Sequence, residues 1–121
     1  MNKTLVFGAS TNTERYSFKA VNRLMENDFE VVPVGLKEGE INGLNILTGT
    51  PEVENLDTIT LYIGPKHQPA FYDYFLSLKP KRIIFNPGTE NDEFRAMAID
   101  KGIKTEYACT LVMVATGVYA H

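Results

Sequence analysis

The sequence predicts an α/β fold, a single domain whose mostly parallel sheet is covered by helices on both faces, and three observations predict it. Short apolar runs end in small residues or in Pro-Gly pairs, as at Phe7-Gly8-Ala9, Ile63-Gly64-Pro65 and Phe85-Asn86-Pro87-Gly88, which is how strands buried on both faces read. Between them lie segments with apolar residues at three- and four-residue spacing, and strands that alternate with helices imply right-handed crossovers between parallel neighbours. The chain has 121 residues, 44% of them apolar and 22% charged. That suits a folded globule with one core and is too little for two.

Taken in order, Lys3 to Phe7 forms the first strand and Gly8-Ala9-Ser10 ends it. A loop follows, and a helix is expected from Ser17 as N-cap, with Phe18, Val21, Leu24 and Met25 as its apolar stripe and Asn27 in the left-handed position after it. Glu30 to Val34 is the second strand, and Pro33, which lacks a donor, is expected to mark its end. Glycines at 39, 43 and 49 break every period between residues 37 and 56, so only Asn45-Ile46-Leu47 reads as extended. The interval before it is too brief for a crossover helix, which leaves that strand's direction open. Thr58 to Ile63 is β-branched and aromatic and stops at Gly64-Pro65. From His67 to Leu78, the spacing of Phe71, Phe75 and Leu78 predicts an amphipathic helix ended by Pro80. Arg82 to Asn86 is the next strand. A helix starts at Asn91, with Asp92 and Glu93 in its positive first turn, Phe94, Met97 and Ala98 as its buried stripe and Gly102 as its stop. Ile103 to Glu106 gives a last strand, and Thr110 to Thr116 a last helix before Gly117. The whole, residues 1–121, reads as one Rossmann-like domain.

In such sheets ligands bind beyond the carboxyl ends of the strands, which selects Gly8 to Arg15, Gly35 to Lys37, Gly64 to His67 and Asn86 to Asn91. At Gly8-Ala9-Ser10 a phosphate can approach the backbone closely and meet amide donors near the following helix. A dinucleotide fingerprint would continue G-x-G-x-x-G, but Ser10 replaces its second glycine, and Asn12 and Arg15 fill the rest. Neutral donors at Ser10, Thr11, Asn12, Thr13 and Ser17, with the forked cation of Arg15, suit a pyrophosphate. The same residues also fit a plain turn with a helix cap and a solvated arginine. After the second strand, an NAD site wants an acidic residue for the ribose. Lys37 stands there instead, favouring a further phosphate on the ribose, as in CoA or NADP; it reads equally as one exposed loop lysine.

The remaining chemistry is sparse. Twelve basic and 15 acidic residues, a net charge of −3, give no general attraction for nucleic acid or an anionic membrane. No apolar run approaches the ~20 residues of a membrane span. A single cysteine and a strand beginning almost at Met1, with no room for a signal peptide, lead to a cytoplasmic expectation. Cys109 opens the last helix, where a helix dipole favours a thiolate. Catalysis also needs a base, and neither His67 nor His121 pairs with it in sequence, so a small packing residue is the preferred reading. No zinc-ligand spacing is present, and no metal or catalytic residue is expected. Lys79-Pro80-Lys81-Arg82 precedes a strand and is expected as a solvated turn at the edge opposite the ligand.

Gly8-Ala9-Ser10 with Asn12, Arg15, Ser17 and Val21, then Val32-Pro33-Val34, Asn86-Pro87-Gly88, Glu90-Asn91, and Cys109 with Met113 closely resemble the small bacterial CoA-binding proteins, almost end to end. These are similar to the CoA-binding domain at the amino end of the succinyl-CoA synthetase α-subunit. The resemblance implies CoA or an acyl-CoA as ligand, with Gly8, Ala9, Ser10, Asn12 and Arg15 around the phosphates. It also implies Ile63-Gly64-Pro65 along the adenine or pantetheine path and Asn86-Pro87-Gly88 beside the cleft. The chain departs from the family at Gly35-Leu36-Lys37, where Asn-Pro is common, and at Asn27, where glycine is usual. The expected function is CoA binding without chemistry of its own, in company with a homo-oligomer or an enzyme partner chain. An NADP-binding protein or small reductase is the first alternative. A CoA-sensing regulatory module, using apolar residues of the last helix with Val118 and Tyr119, is the second.

Overall fold

A computed structural model of the chain describes residues 2–120. The strands are β1 (Lys3–Phe7), β2 (Glu30–Val34), β3 (Gly39–Ile41), β4 (Leu44–Ile46), β5 (Thr58–Leu61), β6 (Arg82–Phe85) and β7 (Lys104–Tyr107). The α-helices are α1 (Tyr16–Glu26), α2 (Tyr72–Ser77), α3 (Asp92–Asp100) and α4 (Thr110–Ala115). Among the described residues, five strands form one sheet in the order β2-β1-β5-β6-β7, and every pairing in it is parallel. None of the described helices is long and apolar enough to cross a membrane.

Because side chains alternate across a strand, each central strand feeds two cores. Leu5, Phe7, Ile59, Leu61, Ile83 and Phe85 pack against Phe75, Phe94 and Ala98 of α2 and α3. On the other face Val6 and Ile84 meet Val21, Leu24 and Met113 of α1 and α4. There β5 contributes Thr58 and Thr60, whose buried hydroxyls need partners. Thr60 bonds to Thr110 at 2.7 Å, and Thr58 donates to Asp57 at 2.7 Å.

The sequence expectations hold for the sheet and fail at several edges. Helix α1 begins two residues earlier than Ser17 as N-cap would set it: Arg15 is the N-cap, in extended backbone, with no side chain bonded over the end. Asp28, not Asn27, takes the left-handed conformation after it. Pro33 lies inside β2, opposite Val6. It is tolerated because its missing donor faces the outer edge, where its carbonyl accepts from Leu47 N at 2.9 Å. Residues 39–46 form an antiparallel hairpin, with Asn42 and Gly43 both at positive φ in the two-residue turn such hairpins favour. Leu47 then bridges Val34 in the parallel sense, which settles the direction left open.

The helix expected over 67–78 is two one-turn 3₁₀ segments, Pro65–His67 and Pro69–Phe71, before the short α2. Prolines opening each segment provide no amide to continue an α-helix. The strand expected over 103–106 is displaced by one residue. Arg82 is not solvated, being 1% exposed. Its Nε donates to Thr58 (3.1 Å) and its Nη1 to the Tyr119 carbonyl (2.8 Å), with Glu106 at 3.5 Å. Tyr119 is therefore a buried anchor for the chain's end, while Val112 and Val118 are exposed.

Candidate functional site

The strand order determines where a groove can form. The chain lays β2 on one side of β1 and β5 on the other, so the loops after β1 and β5 leave in opposite directions and a crevice opens between them. A cleft of about 340 Å³ lies there, lined by Gly8 to Thr11, Arg15, Leu36 to Glu38, Tyr62 and Ile63. A second lobe of about 210 Å³ is lined by Gly8, Arg15, Tyr16, Ser17, Tyr62, Gly64 and Pro87 to Thr89. Gly8, Arg15 and Tyr62 line both, and the lobes make one groove across the carboxyl edge of the sheet. A larger depression of about 730 Å³ lies among Glu52 to Leu56, Ser77 to Lys79 and Lys81, at the amino ends of β5 and β6.

The first loop is folded by its own side chains. Ser10 Oγ accepts from Asn12 N at 3.0 Å, and Asn12 Oδ1 accepts from Glu14 N at 3.0 Å. The amides of Gly8 and Ala9 both donate to the Val34 carbonyl, at 2.8 and 2.9 Å. Those donors are committed to the fold. Among the described residues, the amides of Ser10 and Thr11, the Ser10 hydroxyl proton and the first-turn amides of α1, which have no intrahelical acceptor, are the donors left for a guest. Arg15 is exposed and meets no carboxylate in an ion pair among the described residues.

Close approach explains the glycines. Gly8 has φ +102°, and a Cβ there would lie 3.0 Å from the Tyr62 carbonyl oxygen. A Cβ on Gly35 would lie 2.2 Å from the Ala9 carbonyl oxygen, so the second strand's end is pressed against the first loop. Gly8 is thus required by the close approach of Tyr62, where the chain leaves β5, to the end of β1. Tyr62 lines both lobes, and its Oη is buried and meets no group at hydrogen-bonding geometry among the described residues. Burial pushes this phenol well above its ordinary range, and the neighbouring Thr110 and Thr60 hydroxyls draw it back in part.

The structure brings Gly8, Ala9, Ser10, Arg15 and Lys37 to the first lobe and Ser17, Gly64, Pro87 and Gly88 to the second. Asn12, Pro65 and Asn86 line neither. Asn12 shapes the loop. Asn86, 2% exposed, spends its side chain internally. Its Nδ2 donates to Thr60 Oγ1 (2.6 Å) and the Leu61 carbonyl (2.9 Å), and its Oδ1 accepts from Thr110 N (2.9 Å). It ties β5 and β6 to the first turn of α4. The Gly88 amide donates to Glu90 Oε1 at 2.9 Å. Cys109 is the N-cap of α4, half-buried and outside both lobes. His121 lies outside the described residues.

Sequence reasoning passed over Tyr62, Glu38 and Gln68. Tyr62 hid inside a strand-like run, and Glu38 and Gln68 each stand one residue beyond a segment the strand ends selected.

The sequence matches the profile of the "CoA binding domain" family over residues 2–115. None of the curated proteins matches it. A crystal structure described as that of an uncharacterized protein is 48% identical, with a TM-score of 0.95 and 98% of each chain covered. A Thermus thermophilus protein superimposes with a TM-score of 0.85 at 18% identity, over 97% of this chain and 90% of its own. A conserved hypothetical protein from Pyrococcus furiosus does so with 0.76 at 26% identity, over 88% and 92%.

Proposed function

This chain belongs to the CoA-binding domain family, and from that premise we propose that it binds CoA or a short acyl-CoA in the two-lobed groove, as one unit of residues 1–121 with no chemistry of its own. The observation that carries the reading is the uncapped start of α1 opening, with Arg15 unpaired among the described residues, onto the groove between the loops after β1 and β5. An anion there gains amide donors, the positive end of a helix and a forked cation together. In this reading the pyrophosphate sits over Ser10, Thr11 and Arg15, and the adenosine and its ribose phosphate lie toward Leu36 and Lys37. The pantetheine runs along the second lobe past Gly64 and Gly88. The larger depression at the amino ends of the strands is lined by Glu52 and Glu54 together with Lys79 and Lys81, and it offers no helix start whose amides could receive an anion.

Glu38, which lines the first lobe beside Lys37, favours a second reading, a dinucleotide with its ribose hydroxyls on that carboxylate. Thermal unfolding with CoA, acetyl-CoA, NADP and NAD separates the two. A ligand at 100 times its dissociation constant adds about 2.7 kcal/mol of stability. CoA or acetyl-CoA is expected to raise the melting temperature and NAD to leave it unchanged; a shift with NAD or NADP alone favours the dinucleotide. A CoA-responsive partner surface is the natural use for a binding protein of this kind, and the exposed Val112 and Val118 on and after α4 suit it.

A further inference from the structure

We propose that Gln68 is a positioning residue that holds the two rims of the groove in register, an inference that rests on the CoA reading for its ligand. Gln68 joins the two 3₁₀ segments, and its side chain is fully buried. Its Nε2 donates one hydrogen to the Ile63 carbonyl at 3.1 Å, in the rim after β5, and the other to the Thr89 carbonyl at 2.8 Å, in the rim after β6. Its Oε1 accepts from Asn91 Nδ2 at 2.9 Å. Asn91 in turn caps α3, accepting from Phe94 N at 3.0 Å, and donates to Tyr72 Oη at 2.8 Å.

A primary amide supplies two donors and an acceptor from one planar group. A carboxylate in its place would set oxygen against two carbonyls, and a thioether would fill the space and bond neither. Ile63 lines the first lobe and Thr89 the second, while Gln68 lines neither. It acts on a guest only through the backbone it holds. Without it, two carbonyls lose their partner and each rim moves independently of the other.

Gln68→Met tests this with two readouts. By calorimetry CoA should bind about tenfold more weakly, whereas adenosine 3′,5′-bisphosphate, which has the nucleotide but no pantetheine, should bind as to the parent. Equal losses for both, or none for either, would overturn the positioning role. In hydrogen exchange without ligand, amides of residues 63–68 and 87–91 should exchange faster together while β1 and α1 stay protected. Unchanged exchange overturns the coupling whether or not CoA binds. A parent that binds no CoA contradicts the CoA reading and leaves exchange to decide the coupling. Should Gln68→Met not fold, Asn91→Asp keeps an oxygen to cap α3 and removes the amide that donates to Gln68 and to Tyr72 Oη. It should give the same CoA-selective loss, about threefold, and equal binding of CoA by this variant and the parent would likewise overturn the proposal.

Discussion

Arg15 is at once the N-cap of α1 and a wall of both lobes, so its guanidinium and the helix's first amides address the same space. Arg15→Ala should weaken CoA binding by about 1.5–3 kcal/mol, the range for hydrogen bonds to charged groups, and flatten its dependence on salt. Calorimetry at two ionic strengths checks both, and an unchanged affinity and salt slope would make Arg15 a surface residue. Lys37 is separable from it. Lys37→Glu should penalise CoA more than dephospho-CoA, because only CoA carries the ribose phosphate that this lysine is proposed to meet; equal losses remove Lys37 from the site. Gly8 is unsuited to such a test. With φ +102° and the Tyr62 carbonyl at 3.0 Å from any Cβ, a larger residue there strains the packing of β1 against the end of β5 before it meets a ligand.

At the scale of elements, Asn86 joins β5, β6 and α4 through three side-chain hydrogen bonds in a buried site. Asn86→Ala should cost roughly 2–4 kcal/mol of stability, since it leaves polar groups buried without partners, and urea denaturation measures it. A loss below 1 kcal/mol would mean water replaces the amide. The case shows what a sequence conveys. Asn86-Pro87-Gly88 after an apolar run locates the end of a strand beside the groove, and the asparagine reads naturally as a ligand contact, because local pattern cannot reveal that Thr110, 24 residues on, claims its oxygen. Arg82 was misread for the same reason: its partners Thr58 and Tyr119 are distant in sequence. By contrast the parallel strands and α3 were legible, because apolar runs and the Asn91 cap with Asp92 and Glu93 are local signals. The 3₁₀ segments and the β3–β4 hairpin were not. Phe71 and Phe75 keep helical spacing even where prolines break the helix, and Asn42-Gly43 is a hairpin signal whose flanking strands are only three residues each.

At the scale of the whole molecule, tyrosines make stability sensitive to alkali. Tyr74 has its phenol pushed up to about 12 by burial and donates to the Pro51 carbonyl at 2.6 Å. Burial raises Tyr62 and Tyr119 as well. A group that holds its proton more tightly when folded contributes stability that is fully present below its unfolded value near 10 and is lost as pH rises through the folded one. The urea midpoint should therefore stay level to about pH 9 and fall between pH 10 and 12, with Tyr74→Phe losing part of that slope. A flat midpoint across this window would contradict the burial of these phenols.

The central claim is that one groove, at the carboxyl edge of the sheet between β1 and β5, takes CoA. Amide chemical-shift mapping of the isotopically labelled protein during a CoA titration tests it most directly. Resonances of Gly8 to Ser17, Leu36 to Glu38, Tyr62 to Gly64 and Gly88 to Thr89 should move together and saturate, while Glu52 to Leu56 at the opposite edge stays still. Shifts centred on Glu52 to Leu56, or none at all at millimolar CoA, would contradict it.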